Sequence, residues 1–229
     1  MRDDRVQHGV LETLSSAVNY RRWVCDLAEP WLGEDPLEVG SGIGDHAAEW
    51  ARPGRKITVS ETDPDLLTAL RVRFADDPGV AVRELTLPPT TPGGHSAVVA
   101  LNVLEHVADD LAALRGMRDL VRPGGHVVLF VPAFPLAMSR FDREVGHHRR
   151  YRRGSLARLL VTAGLEVRRL HHVNAPGLIA WLLLMRLGRG RPSEGPALAA
   201  FERLVPVLRR VEARVPPPFG QSLFAVGRV

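Results

Sequence analysis

Short apolar segments of strand type alternate with helix-type segments along most of this chain. The first apolar segment, residues 36–39, runs into a glycine-rich turn, and a helix-type segment follows at 47–51. Further strand-type segments lie at 56–60, 80–85, 97–101 and 126–131, with helix-type segments between most of them. Because neighbouring parallel strands need a crossover connection that is usually a helix, this order predicts an α/β fold with a parallel sheet.

The chain length suits one domain with four parts. Its 229 residues fall within the size of a single hydrophobic core. Residues 132–153 show little periodicity, so we predict a long loop over one edge of the sheet. The expected parts are an N-terminal helical cap (1–33), a ligand-binding core (34–173), a helical insertion (174–220) and a final strand (221–229).

Composition excludes several classes of protein. With 45% hydrophobic and 24% charged residues, the chain has an ordinary globular composition. Cys25 is the only cysteine, which excludes an internal disulfide and favours a reducing, cytoplasmic compartment. The longest uncharged apolar run, 178–185, is much shorter than the roughly 20 residues that cross a bilayer. We therefore expect no export signal and no transmembrane span.

The glycine turn after the first strand is a candidate binding site. Gly40, Gly42 and Gly44 leave the backbone open to a ligand at the carboxyl edge of a parallel sheet, where such folds bind their ligands. A dinucleotide fingerprint needs a third glycine at the position of Asp45. The turn therefore disfavours NAD.

Two further acidic residues follow the next strands. Glu61 ends the second strand, where a carboxylate can accept hydrogen bonds from both ribose hydroxyls. Glu84 and Leu85 end the third strand and form a polar and apolar pair suited to the rim and face of an adenine. Together with the glycine turn, they predict a nucleoside pocket.

Together with residues 102–107 and 120–125, the glycine turn and the acid at Glu61 resemble motifs of the class I S-adenosylmethionine-dependent methyltransferases. The resemblance covers roughly residues 19–173. The likeness is greatest to a bacterial branch of small-molecule type, through 19–23, 131–135 and 146–151. Ser96 departs from the aspartate that many relatives carry. The resemblance implies a Rossmann-like, seven-stranded, mostly parallel sheet with an antiparallel last strand, helices on both faces and a helical insertion before that strand.

The resemblance also implies the cofactor, S-adenosylmethionine, and its contacts. The glycine turn would hold the methionine part, Glu61 the ribose and Glu84 the adenine side, while Tyr20 would reach the methionine carboxylate. Residues after the fourth strand would line the methyl-donor side. The expected cofactor-binding residues are Tyr20, Glu38, Gly40, Ser41, Gly42, Gly44, Glu61, Thr62, Glu84, Leu85, Leu101, Asn102 and Val103.

Histidines are the candidate catalytic residues, because imidazole can accept a proton from a hydroxyl or an amine near neutral pH. We favour His147, on the long segment after the fifth strand, and then His106. The alternatives are that His106 packs beside the cofactor and that His147 fixes its loop through Asp142 or Glu144.

A metal centre is a further alternative at these residues. Glu105 and His106, with one of the later histidines, are similar to the cation site of metal-assisted small-RNA terminal methyltransferases. Asn102 stands where that site has its first carboxylate, and a neutral amide is a poorer ligand for a hard cation. We therefore expect no metal.

The resemblance implies a small-molecule acceptor of bacterial specialised metabolism, methylated on oxygen or nitrogen rather than carbon, and an anionic acceptor is one option. Residues 140–169 hold nine arginines against three acids, which suits an anion, although a solvated surface would look the same. The segment contains only two aromatic residues, Phe141 and Tyr151, so nucleic acid is disfavoured. RNA, a lipid-linked glycan, and cofactor binding without catalysis stay as alternatives.

The segment 176–187, which includes Trp181, allows three interpretations. It suits a cap over the acceptor pocket, a homodimer face, or a helix lying flat on a membrane with its apolar side inward. We favour the cap, because the segment belongs to the insertion before the last strand.

Overall fold

The computed structural model describes residues 17–89, 91–186 and 196–229. Its strands form one seven-stranded sheet in the order β3-β2-β1-β4-β5-β7-β6. The strands are β1 (Pro36–Val39), β2 (Ile57–Glu61), β3 (Val80–Glu84), β4 (His95–Leu101), β5 (Val121–Pro132), β6 (Glu166–Val173) and β7 (Ser222–Arg228).

Eight α-helices connect or cover these strands in the described part of the chain. They are α1 (Val18–Ala28), α2 (Asp45–Trp50), α3 (Pro64–Arg73), α4 (Asp110–Asp119), α5 (Arg140–Glu144), α6 (Arg153–Thr162), α7 (Ala175–Arg186) and α8 (Pro196–Arg214). Short 3₁₀ turns lie at Glu29–Trp31, Leu104–His106 and Pro135–Ala137.

The predicted fold class is confirmed. Strands β1 to β5 pair in parallel, and β7 lies antiparallel between β5 and β6. Apolar side chains on the two faces of the sheet form two buried clusters, one against α4 and α6 and the other against α1 and α2. Because β1, β4 and β5 are covered on both faces, their sequences are almost continuously apolar.

The prediction of a long loop over 132–153 was wrong in part. This segment contains a 3₁₀ turn and helix α5, which begins at a capping box between Ser139 and Asp142. Such boxes satisfy two backbone N–H groups at once and stabilise even short helices. Strand β5 also starts earlier than predicted and runs through Gly124 and Gly125, with a register shift opposite β4.

Helices α7 and α8 lie between β6 and β7, where the insertion was predicted. Two carboxylates of α8 connect it to the rest of the fold. Glu202 accepts the backbone N–H groups of Asn19 and Tyr20, and Glu212 accepts those of Asn174 and Ala175. Residues 187–195, between these two helices, and residues 1–16 of the predicted N-terminal cap lie outside the described residues. No described helix combines the length and apolar character that crossing a bilayer demands.

Candidate cofactor and acceptor site

The glycine turn at the end of β1 has a backbone that requires glycine. Gly40, Gly42 and Gly44 have φ angles of 67°, 57° and 82°, in the left-handed region that side chains disfavour. A Cβ on Gly40 would lie 2.7 Å from Cγ2 of Val103, and one on Gly44 would lie 2.6 Å from Cε2 of Phe74. Side chains are therefore excluded at Gly40 and Gly44, because neighbouring side chains fill the space that a Cβ would need.

Hydrogen bonds fix this turn to the end of β2. The backbone N–H of Ser41 donates to the carbonyl of Ser60 at 2.9 Å, and the Ser60 hydroxyl donates to the carbonyl of Glu38 at 2.8 Å. Glu61 accepts the N–H of Gly42 at 2.7 Å and that of Thr62 at 3.0 Å. Burial raises the pKa of Glu61, and these two backbone hydrogen bonds work in the opposite direction. The predicted ribose acid thus lies against the predicted methionine turn.

The other predicted cofactor residues follow β3 and β4 at the same edge. Leu85 is buried and its N–H donates to the carbonyl of Glu61 at 3.1 Å, whereas Glu84 is exposed. Leu101 is buried at the end of β4. Asn102 has a φ of 54°, and its N–H donates to the carbonyl of Phe130 at 2.8 Å. This bend directs the chain from β4 into the 3₁₀ turn Leu104–His106.

Tyr20 lies beside the insertion. Its ring contacts Phe130 and Phe201, and its hydroxyl is hydrogen-bonded to Asn174 and Ser222. Burial raises the pKa of this phenol to about 12. The predicted contact between Tyr20 and a methionine carboxylate stays a prediction, since the hydroxyl has protein partners in this structure.

Glu105, His106 and His147 form a cluster that starts two residues after Val103. One ligand atom of each side chain lies within 4.8 Å of the other two. The carboxylate of Glu105 is 0% exposed, and neither of its oxygens has a hydrogen-bond partner among the described residues. The rings of His106 and His147 meet edge to face, with their centroids 4.6 Å apart. Burial raises the pKa of Glu105 to about 8, and the charge of Arg150 offsets part of that rise.

Asp142 orients His147. Its Oδ1 lies 3.0 Å from Nδ1 of His147 and accepts two hydrogen bonds from Arg150, while its Oδ2 accepts from Ser139. Asp142 is 1% exposed; burial would raise its pKa, but the hydrogen bonds from His147, Arg150 and Ser139 hold it below its usual range. An ionised Asp142 accepts the Nδ1 proton, so Nε2 of His147 is left facing Glu105 at 3.9 Å. Of the two partners considered for His147, the structure thus has Asp142.

Trp181 connects helix α7 of the insertion to the segment that carries His147. Its indole N–H donates to the carbonyl of Ala137 at 3.0 Å, and its ring contacts Phe141 edge to face. The guanidinium of Arg150 lies over the indole, 4.8 Å from the ring centroid. The insertion therefore packs against the back of the histidine cluster.

Some arginines of the segment 140–169 form ion pairs within the protein. Arg149 pairs with Asp110 at 2.6 Å and Arg150 with Asp142 at 2.7 Å. Arg140 and Arg168 pair with acids of their own elements at 2.8 Å. Four of the nine arginines thus have acidic partners, which reduces the charge available to an external anion.

Sequence reasoning missed the residues that support His147. The burial of Arg150 and the role of Ser139 were not predicted. The spacing of Ser139 and Asp142 is a capping-box signal that indicates where α5 begins, but it does not indicate that the same carboxylate holds a histidine and an arginine.

Residues 37–127 match a family model described as a methyltransferase domain. This match begins in β1, contains the glycine turn, Glu61 and Glu105, and ends in β5. Over these residues the chain is similar to methyltransferase domains. This similarity agrees with the predicted cofactor, S-adenosylmethionine.

Curated relatives are similar to part of the chain in sequence, and solved structures are similar to most of it in fold. The ubiquinone biosynthesis O-methyltransferase of Pectobacterium carotovorum is 32% identical over 110 residues, which are 46% of each chain. The chain thus spans about half the length of the curated relatives it matches. A geranyl diphosphate methyltransferase solved with S-adenosylmethionine has a TM-score of 0.64 at 15% identity, covering 89% of this chain and 83% of its own. The [4+2]-cyclase SpnF has a TM-score of 0.62 at 19% identity, covering 91% and 80%.

The residues around the glycine turn fit S-adenosylmethionine. The cofactor carries a sulfonium, an ammonium group and ribose hydroxyls. Glu38 is 2% exposed and has one carboxylate oxygen without a hydrogen-bond partner among the described residues, which suits a cationic group. Glu61 lies beside the glycine turn, and the Gly40 backbone leaves no room for a side chain. Which of these residues touch which cofactor group stays a prediction.

Proposed function

We propose that this chain transfers the methyl group of S-adenosylmethionine to an oxygen atom of a small-molecule acceptor. The supporting observation is that the glycine turn and the histidine cluster lie on either side of Val103, which contacts Gly40 and precedes Glu105 by two residues. A donor pocket and a group able to take a proton would then be adjacent. The curated relatives are named as O-methyltransferases, which favours oxygen over nitrogen.

The chemistry asks the protein mainly for positioning and for proton removal. S-adenosylmethionine supplies an electrophilic methyl carbon, and its sulfur keeps the electron pair when the carbon–sulfur bond breaks. The protein's task is to hold the acceptor oxygen in line with that carbon at near contact and to exclude water. In this proposal Nε2 of His147 takes the hydroxyl proton, because Asp142 occupies the other ring nitrogen. His106 lies beside it as the second candidate.

The acceptor would approach the cluster beneath the insertion. Trp181 packs on the segment that carries Asp142 and His147, so α7 is placed to influence which acceptor enters. The paired arginines at 140, 149, 150 and 168 favour a small acceptor over a long polyanion. RNA or a lipid-linked glycan would be indicated instead by binding that weakens steeply with salt.

Calorimetry with S-adenosylhomocysteine tests the donor half of the proposal. We expect binding to the purified chain, and a loss of about 1–3 kcal/mol for Glu61→Gln, the range for a lost charge-assisted hydrogen bond. Glu166→Gln is the matched control, since Glu166 is an exposed acid on β6 that pairs with Arg168. Absence of binding, or equal binding by both variants, would contradict the assignment of the pocket.

Methyl transfer tests the acceptor half. Radiolabelled S-adenosylmethionine would be incubated with a panel of phenols, hydroxy acids and amines, and the labelled products identified by mass spectrometry. We expect methyl ethers, and slower transfer by His147→Asn at unchanged affinity for S-adenosylhomocysteine. Cofactor binding without product from any class of acceptor would favour a non-catalytic cofactor-binding module.

A further inference from the structure

The carboxylate of Glu105 is buried in a way that the described contacts do not explain. Both of its oxygens lack hydrogen-bond partners among the described residues, although the side chain is fully buried. Burying a carboxylate without compensation costs free energy unless it is protonated, paired or bound to a metal ion. One nitrogen of each of two imidazoles, those of His106 and His147, lies within 4.8 Å of a carboxylate oxygen of Glu105. The oxygens of Glu105 without partners therefore lie near two other side chains that can bind a metal ion.

We propose that Glu105, His106 and His147 bind a divalent transition-metal cation at the acceptor side of the site. The proposal rests on the proposed function, because it assigns that acceptor site a cofactor. Separation of the ligand atoms is the first argument. Nε2 of His147 and Oε1 of Glu105 are 3.9 Å apart, too far for a hydrogen bond. Two ligands bound to one ion at about 2.0–2.2 Å each lie roughly 3–4 Å from one another.

The second argument is the support behind His147. Metal-binding histidines commonly donate their other ring N–H to a carboxylate, which fixes the ring and its tautomer. Asp142 accepts from Nδ1 in this way and is itself held by Arg150 and Ser139. The backbone N–H of His148 also donates to the carbonyl of Glu105 at 2.8 Å, so the two segments that supply ligands are joined.

The donor set indicates the kind of cation. Two imidazole nitrogens and one carboxylate oxygen suit Zn²⁺ and its first-row neighbours, whereas Mg²⁺ prefers oxygen ligands. The amide of Asn102, which disfavours a hard cation, is therefore no argument against a softer one. His106 and His147 are half-buried, so a coordination position can stay open for an acceptor oxygen.

A bound cation would change how the acceptor loses its proton. Nε2 of His147 would then be a ligand, and the hydroxyl oxygen of the acceptor would occupy the open position. Coordination lowers the pKa of an O–H group, and the proton passes to water. The resulting oxygen then bonds to the methyl carbon as the carbon–sulfur bond breaks. The cation undergoes no redox change in this sequence.

The test uses the full chain stripped with a chelator and titrated with Zn²⁺, Co²⁺ and Mg²⁺. We expect one Zn²⁺ per chain by calorimetry, visible absorption bands from bound Co²⁺, and no comparable binding of Mg²⁺. Glu105→Gln, His106→Asn and His147→Asn should each weaken Zn²⁺ binding at least tenfold and abolish the Co²⁺ bands. His148→Asn is the matched control, because His148 is the exposed neighbour, and it should bind as the unaltered chain does.

Each result decides the proposal. Binding by His148→Asn together with loss in the three ligand variants supports it, and if one ligand variant does not fold, the other two suffice. Unchanged Zn²⁺ binding in the ligand variants, or no binding by the unaltered chain, overturns it. A binding measurement with S-adenosylhomocysteine on the stripped chain separates the two proposals. If the chain binds S-adenosylhomocysteine but not Zn²⁺, only the metal site is overturned. If it binds Zn²⁺ but not S-adenosylhomocysteine, only the cofactor pocket is overturned.

Discussion

The proposed donor and acceptor sides of this site are built in different ways. The donor side is a contiguous backbone turn, Gly40–Gly44, to which β2 contributes the carboxylate of Glu61. The acceptor side consists of side chains from two distant segments, with Glu105 and His106 after β4 and His147 after α5. Local sequence determines the first, whereas tertiary packing assembles the second. Substitutions on the donor side should therefore change cofactor affinity, and substitutions on the acceptor side should change folding stability as well.

The largest effect is expected for Asp142→Asn. Asp142 and Arg150 form a buried ion pair at 2.7 Å, with side chains 1% and 3% exposed. Removing one charge leaves the guanidinium buried and uncompensated, which costs about 3–5 kcal/mol in comparable cases. We expect a loss of that order in the free energy of unfolding, measured by denaturant titration, with cofactor affinity of the folded fraction unchanged.

Glu144→Gln is the control for this comparison. Glu144 lies on the same helix, α5, and pairs with Arg140, whose side chain is 92% exposed. An exposed ion pair contributes at most about 1 kcal/mol. Equal losses for the two variants would show that the acceptor side does not depend on the buried pair.

Gly40→Ala is expected to have the next largest effect, on the donor side. Its Cβ would meet Val103 at 2.7 Å in a backbone with φ of 67°. Strain of this kind costs about 1–3 kcal/mol, and relieving it requires the turn to move. We expect weaker binding of S-adenosylhomocysteine by that order, measured by calorimetry, while Zn²⁺ binding persists.

Gly54→Ala separates backbone strain from the clash. Gly54 also has a left-handed φ, 85°, but a Cβ there would have no atom within 4 Å. It should therefore lower stability to a similar degree without changing cofactor affinity. If Gly54→Ala weakened cofactor binding as much as Gly40→Ala, the effect would come from global destabilisation rather than from the turn.

The difference between the two sides also explains what could be predicted from the sequence. The sheet, its antiparallel last strand and the position of the glycine turn follow from hydrophobic pattern, turn residues and resemblance. The proximity of Glu61 to Gly42 could be predicted because parallel strands end at one edge of the sheet.

The acceptor side could be predicted only in part. The sequence indicated His147 and two alternative partners for it. That Asp142 is the partner depends on the capping box at the beginning of α5. Glu105 showed no sign of complete burial, because its neighbours in sequence are both polar and apolar. The contact of Arg150 with Trp181 connects the segment 132–153 to the insertion. The sequence of that segment shows little periodicity, so the contact could not be predicted.

The smallest effect concerns a histidine on neither side of the site. His171 on β6 has its pKa lowered to about 4 by burial and by the charges of Arg169, Arg153 and His172, against an ordinary value of 6.5. Below pH 6.5 His171 binds a proton in the unfolded chain, whereas in the folded chain it binds one only near pH 4. The free energy of unfolding should therefore fall as the pH falls through this window.

Denaturant titrations of His171→Gln against pH test this expectation and sharpen the comparison. The variant should lose less stability than the unaltered chain between pH 6.5 and 4, whereas His148→Gln, at an exposed position, should follow the unaltered chain. Identical slopes for all three proteins would assign the acid sensitivity to other groups. In His171→Gln, a pH dependence of methyl transfer that is larger than the pH dependence of folding can be assigned to the acceptor side. Proton removal is proposed to occur there.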